Sequence, residues 1–145
     1  MAIVEDICEA WGWKGIQSAK VIAMNKFGNV MFTDQAGKYW RICPEELECK
    51  VIADCLATYE EVMKDQQFAA DWEMARLVNV AEAKYGVQPV HRCFCLKTPG
   101  VLGGAYDIEN VATIRIGELI RFSGDVARQI KDLPPGSKIQ LRIVD

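Results

Sequence analysis

The hydrophobic pattern of this chain changes period near residue 54, and that change narrows the folds open to it. Before it, short apolar runs (Ile16 to Met24, Val30 to Thr33, Tyr39 to Cys43, Leu47 to Ala53) are separated by turn residues. Lys26-Phe27-Gly28-Asn29, Asp34 to Gly37 and Pro44 supply those turns, and the pattern predicts a β-meander. From Asp54 to Lys84 the spacing is helical: Leu56, Tyr59, Val62 and Met63 form one stripe, and Phe68, Trp72, Ala75 and Val78 a second. A first helix is expected over Ile3 to Trp11, ended by Gly12 and Gly15. Beyond Gly86 and Pro89 a strand is expected at Val90 to Leu96, then a glycine-rich turn, a strand at Val111 to Ile116 and a helix over Gly117 to Leu133. Pro134-Pro135-Gly136 stops that helix, and the alternation of Ile139, Leu141 and Ile143 predicts a last strand. The class is α+β: a mostly antiparallel sheet with helices packed on it, expected as one domain over residues 1–145.

Composition supports a core that needs no staples, since half of the 145 residues are hydrophobic and about a quarter charged. Acidic residues occupy the start MAIVEDICEAW, where a signal peptide needs basic ones, and no run is long enough to span a bilayer. The expected location is the cytoplasm, with the six cysteines mostly reduced and buried as small hydrophobes. A net charge of −3 argues against nucleic-acid or membrane partners. That charge is uneven: Glu45 to Glu73 holds nine acids against two lysines, a net of −7. Such a block is either a solvated helix face or a surface complementary to a basic partner, where it speeds association more than it strengthens binding.

Catalytic signals are thin. His91 is the sole histidine, so any Ser-His-Asp or Cys-His mechanism passes through it. On a strand from Val90 to Leu96, His91, Cys93 and Cys95 share a face; three soft ligands begin a zinc site but lack a fourth, and the ordinary reading is a half-buried strand face. Gly100-Val101-Leu102-Gly103-Gly104 lacks the Lys-Ser/Thr of a phosphate loop and reads as a tight turn. No metal, cofactor or catalytic set is expected. Of the four tryptophans, Trp40 and Trp72 read as core, and Trp13, beside Lys14 in a turn, as the best exposed aromatic anchor.

Gly37-Lys38-Tyr39-Trp40-Arg41-Ile42, Leu102-Gly103-Gly104-Ala105-Tyr106 followed by Glu109-Asn110, and a helix ending Leu133 to Gly136 together resemble the C-terminal domain family of type VI secretion immunity proteins, which protect bacteria from DNase toxins. The resemblance implies a cytoplasmic, non-catalytic antitoxin that occludes the toxin domain of a neighbouring effector. That toxin is a nuclease or an NAD-dependent ADP-ribosyltransferase, since immunity folds serve several toxin chemistries. The expected toxin-binding residues are Glu45, Glu46, Glu60, Glu61 and Asp65 of the acidic block, Trp13, and Gly103, Gly104, Tyr106 and Asp107 of the glycine-rich loop. The rival readings are a hydrolase that reverses a toxin's modification, decided by His91, and a regulatory or scaffold module.

Overall fold

A computed structural model describes residues 3–134 and 136–139. Helix α1 (Ile3–Trp11) leads into a meander of β1 (Ser18–Met24), β2 (Val30–Asp34), β3 (Tyr39–Cys43) and β4 (Glu48–Ala53). Three helices follow: α2 (Leu56–Lys64), α3 (Gln66–Glu73) and α4 (Ala75–Tyr85). A hairpin of β5 (Arg92–Leu96) and β6 (Val111–Arg115) then runs into α5 (Ile116–Ile130). The meander forms a four-stranded sheet in the order β1-β2-β3-β4, and β5-β6 form a second, two-stranded sheet. Every pairing is antiparallel, as expected for strands joined by short turns. The fold is α+β, with the strands in two sheets rather than one.

Two apolar clusters hold it. The larger joins α1 and α5 to one face of the meander through Ile7, Trp11, Val30, Phe32, Ile42, Leu119 and Ile120. The smaller packs Leu77, Val78 and Ala81 of α4 on Phe27 and on Phe94, Leu96 and Val111 of the hairpin. Alternation along β3 sends Trp40 and Ile42 toward the first cluster and leaves Tyr39 and Arg41 on the opposite face.

The differences from expectation have local causes. The helical spacing expected over 54–84, with its two stripes, is three helices separated by two breaks. Asp65 turns its carboxylate to the amides of Gln67 and Phe68 as the N-cap of α3, and Met74 adopts a left-handed backbone, φ 48°, between α3 and α4. β5 begins at Arg92, because the Arg92 amide bonds the Pro89 carbonyl in a turn. Ile116 opens α5 instead of closing β6, and α5 ends at Ile130, ahead of Leu133. Ile139 lies outside any strand; Pro135, Leu141 and Ile143 fall outside the described residues.

Candidate functional site

Helices α2 and α3, with Asp65 between them, carry five of the nine acids of the block, yet neither helix contains a buried residue. Both are held on the outer face of the meander by side chains of β3. Tyr39 stacks on Tyr59 of α2 with ring centres 4.4 Å apart. Arg41 is buried and reaches α3: its guanidinium carbon lies 5.4 Å from the Phe68 ring and 5.3 Å from the Trp72 ring, and its Nη1 donates to Asp71 at 2.7 Å. The same guanidinium donates through Nε and Nη2 to Asn29 Oδ1 at 3.1 and 2.9 Å. Asn29 in turn donates from Nδ2 to both oxygens of Glu45 at 2.9 Å, and the Cys43 thiol donates to Glu45 Oε1 at 3.0 Å. Glu45 is 6% exposed, so its carboxylate belongs to this network rather than to the surface expected of it. Arg41 and Asn29 were not legible as site-forming residues; the available signal was an arginine flanked in one strand by the core residues Trp40 and Ile42.

The glycine-rich loop is equally well fixed. Asn110 accepts from the Thr98 amide at 3.0 Å and donates to the carbonyls of Thr98 and Ala105 at 2.9 and 2.8 Å. Gly104 packs so closely that a Cβ there would stand 1.8 Å from the Thr98 oxygen, which accounts for the glycine. Gly103 takes the left-handed turn after the Gly100–Leu102 helical turn, and Asp107 caps the Ile108–Asn110 turn through the Glu109 amide. These glycines and Asp107 shape the loop. Its presented side chain is Tyr106, whose hydroxyl donates to Glu46 Oε1 while Arg76 Nη2 donates to the Tyr106 carbonyl at 3.1 Å. Burial and the Glu46 carboxylate together push the Tyr106 phenol above its ordinary range, so it remains a donor.

These contacts and the groove they border set the loop beside α3. Glu60, Glu61, Asp65, Asp71 and Glu73 are exposed, and Glu46 is half-buried beneath Tyr106. Between helices and loop runs an open groove of about 350 Å³ lined by Ala70, Asp71, Met74, Ala75, Arg76, Leu77 and Tyr106. Trp13 is elsewhere and is no free anchor: its ring stacks on Trp11 at 5.8 Å, and its indole nitrogen donates to the Gly124 carbonyl at 3.3 Å.

The histidine–cysteine face does not form. Cys93 and Cys95 pack on the larger cluster, whereas His91 precedes β5 and is exposed in a separate cleft with Asp6, Arg115, Glu118 and Arg121. Asp6 there pairs with Arg121 at 2.6 Å. Among the described residues no group of three His, Cys, Asp or Glu side chains is placed to hold a metal ion. All six cysteines are free thiols; Cys8 and Cys55 are exposed, against the expectation of burial for most. Burial pushes Cys49 and Cys93 up to about 12 and Cys95 to about 11; burial and the Glu45 charge push Cys43 up too. No helix among the described residues is long and apolar enough to cross a membrane.

The family model described as T6SS immunity protein Tdi1, C-terminal, matches residues 53–127, just over half of the chain. The matched segment holds α2 to α4, the hairpin and most of α5, and hence the exposed acids from Glu60 to Glu73, the groove and the Tyr106 loop. Arg41, Asn29 and Glu45 precede it. A search of curated proteins found no match.

Proposed function

From a chain that belongs to the family of the T6SS immunity protein Tdi1 C-terminal domain, we propose a cytoplasmic antitoxin that works by occlusion: it binds the cognate toxin domain and covers its active site without chemistry of its own. The observation that carries this reading, beyond membership, is the exposed acids of α2 and α3, with α3 beside the pinned Tyr106 loop, all within the matched segment. Toxins that act on nucleic acids or on NAD bind polyanions or phosphates and so carry cationic sites. An acidic surface competes for such a site, raises the association rate and orients the encounter. Glu60, Glu61, Asp65, Glu46, Tyr106 and Asp107 are assigned to or beside this interface, with Gly103 and Gly104 as its scaffold. Glu45 and Trp13 are assigned structural roles instead.

Charge substitution tests the reading. Asp65 also caps α3, so Asp65→Asn removes its charge while keeping the cap. The variant E60K/E61K/D65N should bind the toxin domain encoded beside this chain's gene with an association rate about tenfold or more below the parent, and with a shallower salt dependence. An unchanged rate and salt slope would refute the acidic-face assignment. His91→Ala should leave protection intact; protection lost with toxin binding retained would favour a modification-reversing hydrolase.

A further inference from the structure

The groove at the α3–α4 joint is built to receive something. Its floor and sides are apolar: Ala70 and Ala75 flank the joint, Leu77 anchors the floor in the smaller cluster, and Met74 lies between. The groove is open to solvent, and the two alanines on it are exposed and small. Met74 holds the left-handed backbone, φ 48° and ψ 41°, which glycine adopts without cost and other residues do not. The strained methionine places a partly exposed, adaptable thioether at the groove wall.

The opposite wall is Tyr106, tied by its hydroxyl to Glu46 and by its carbonyl to Arg76, so the groove is shaped before anything enters. At the rim stands Asp71, whose side chain is 70% exposed although Arg41 holds it at 2.7 Å. Arg76, the cation on the same rim, is oriented by its Nη2 bond to the loop carbonyl and keeps its charge. The rim thus presents a fixed carboxylate next to an apolar hollow, and the exposed acids Asp71 and Glu73 lie on the helix that borders it.

We propose that this groove is the anchor pocket for the toxin domain, and that it takes an apolar or aromatic side chain carried beside a lysine or arginine that pairs with Asp71. The inference rests on the occlusion reading above and adds where the complex is locked rather than how it is steered. A second copy of this chain is the poorer occupant. A two-fold contact through this groove would bring two acidic blocks, each of net −7 over residues 45–73, face to face. Exposed acids should govern association, and a filled apolar pocket should govern dissociation.

The test compares the full chain with Ala70→Trp and Ala75→Trp, which fill the groove from exposed helix positions, and with Met74→Gly, which empties its wall at a site whose backbone suits glycine. Folding is checked by circular dichroism and thermal melts, and Met74→Gly keeps the test open should a tryptophan variant fail to fold. Binding is followed by stopped flow against the toxin domain encoded beside this chain's gene. Each variant should dissociate about tenfold faster or more, with association rate and salt slope unchanged. Parent-like dissociation in every folded variant would overturn the pocket while leaving the acidic face standing. Absence of binding by the parent chain would overturn both. A dimer of the free chain that Ala70→Trp disrupts would overturn the assignment in favour of a second copy.

Discussion

Replacing Arg41 with methionine should destabilise the protein far more than removing the acid it is paired with. Arg41 is 8% exposed and makes three charge-assisted hydrogen bonds, two of them to Asn29. Methionine fills much of the same volume but leaves Asn29 Oδ1 without those donors, at a cost of about 1–3 kcal/mol. It removes a cation lying over two aromatic rings, about 0.5–2 kcal/mol, and strips a buried carboxylate, Glu45, of the positive charge its network ends on. The total expected is about 3–5 kcal/mol, the range for breaking a buried charged network from one side. Asp71 is mostly exposed, so Asp71→Ala should cost about 0–1 kcal/mol despite the 2.7 Å contact. Urea unfolding reads both. With a slope near 1.5 kcal/mol/M, Arg41→Met shifts the midpoint by about 2 M or more, and Asp71→Ala by less than about 0.7 M. Hydrogen exchange locates the effect, because α3 has no buried residue and depends on this contact; its amides should lose protection first. Arg41→Met within about 1 kcal/mol of the parent, or Asp71→Ala as costly as Arg41→Met, would refute the network as the fastening of α3.

Other outcomes follow from single contacts. Gly104→Ala drives a Cβ into the Thr98 carbonyl and should unseat the 97–110 loop, lowering stability by about 2 kcal/mol or more; a parent-like melting curve would show the packing misjudged. Met74→Ala and Met74→Gly lose the same side-chain packing but differ in backbone strain, so the glycine variant should be the more stable by about 1 kcal/mol, and equal stability would contradict the left-handed assignment. Burial pushes the Asp34 carboxyl up, but hydrogen bonds from the Trp40 indole and from the Lys38 and Ala36 amides outweigh it and hold it below its ordinary value. Its contribution to stability is therefore fully present above the unfolded value, near pH 4, and is lost as pH falls through the lower folded value. Asp34→Asn should flatten that part of the acid limb, with Trp40 fluorescence as the local readout; an unaltered limb would mean the bonds contribute nothing.

The backbone plan was largely legible because turn chemistry and hydrophobic period are local. Pro44, Gly28 and the Asp34 to Gly37 turn delimit strands, and α1 and α5 show their buried stripes in the order of their residues. The two breaks in 54–84 were less legible, since Asp65 suits a helix surface as readily as a cap, and nothing local marks Met74 for a left-handed backbone. The site was legible only as charge. An acidic block reads as surface, yet Glu45 is drawn inside by Asn29 and Arg41, which lie 16 and 4 residues before it, and no spacing rule reports such a pairing. Trp13 read as exposed from its turn, and the Gly124 carbonyl that holds it lies 111 residues away. The residues that carry the resemblance are architectural: Tyr39, Trp40 and Arg41, which precede the matched segment, fasten helices and turns to the meander, and Gly104 and Asn110, within it, shape the loop.

The most direct test of the central claim is titration calorimetry of this chain against the C-terminal domain encoded by the gene immediately upstream, with that domain's activity assayed on the same mixtures. The occlusion account expects tight one-to-one binding and activity that falls in proportion to the complex formed. Protection at substoichiometric amounts of this chain, or protection with no measurable complex, would contradict it.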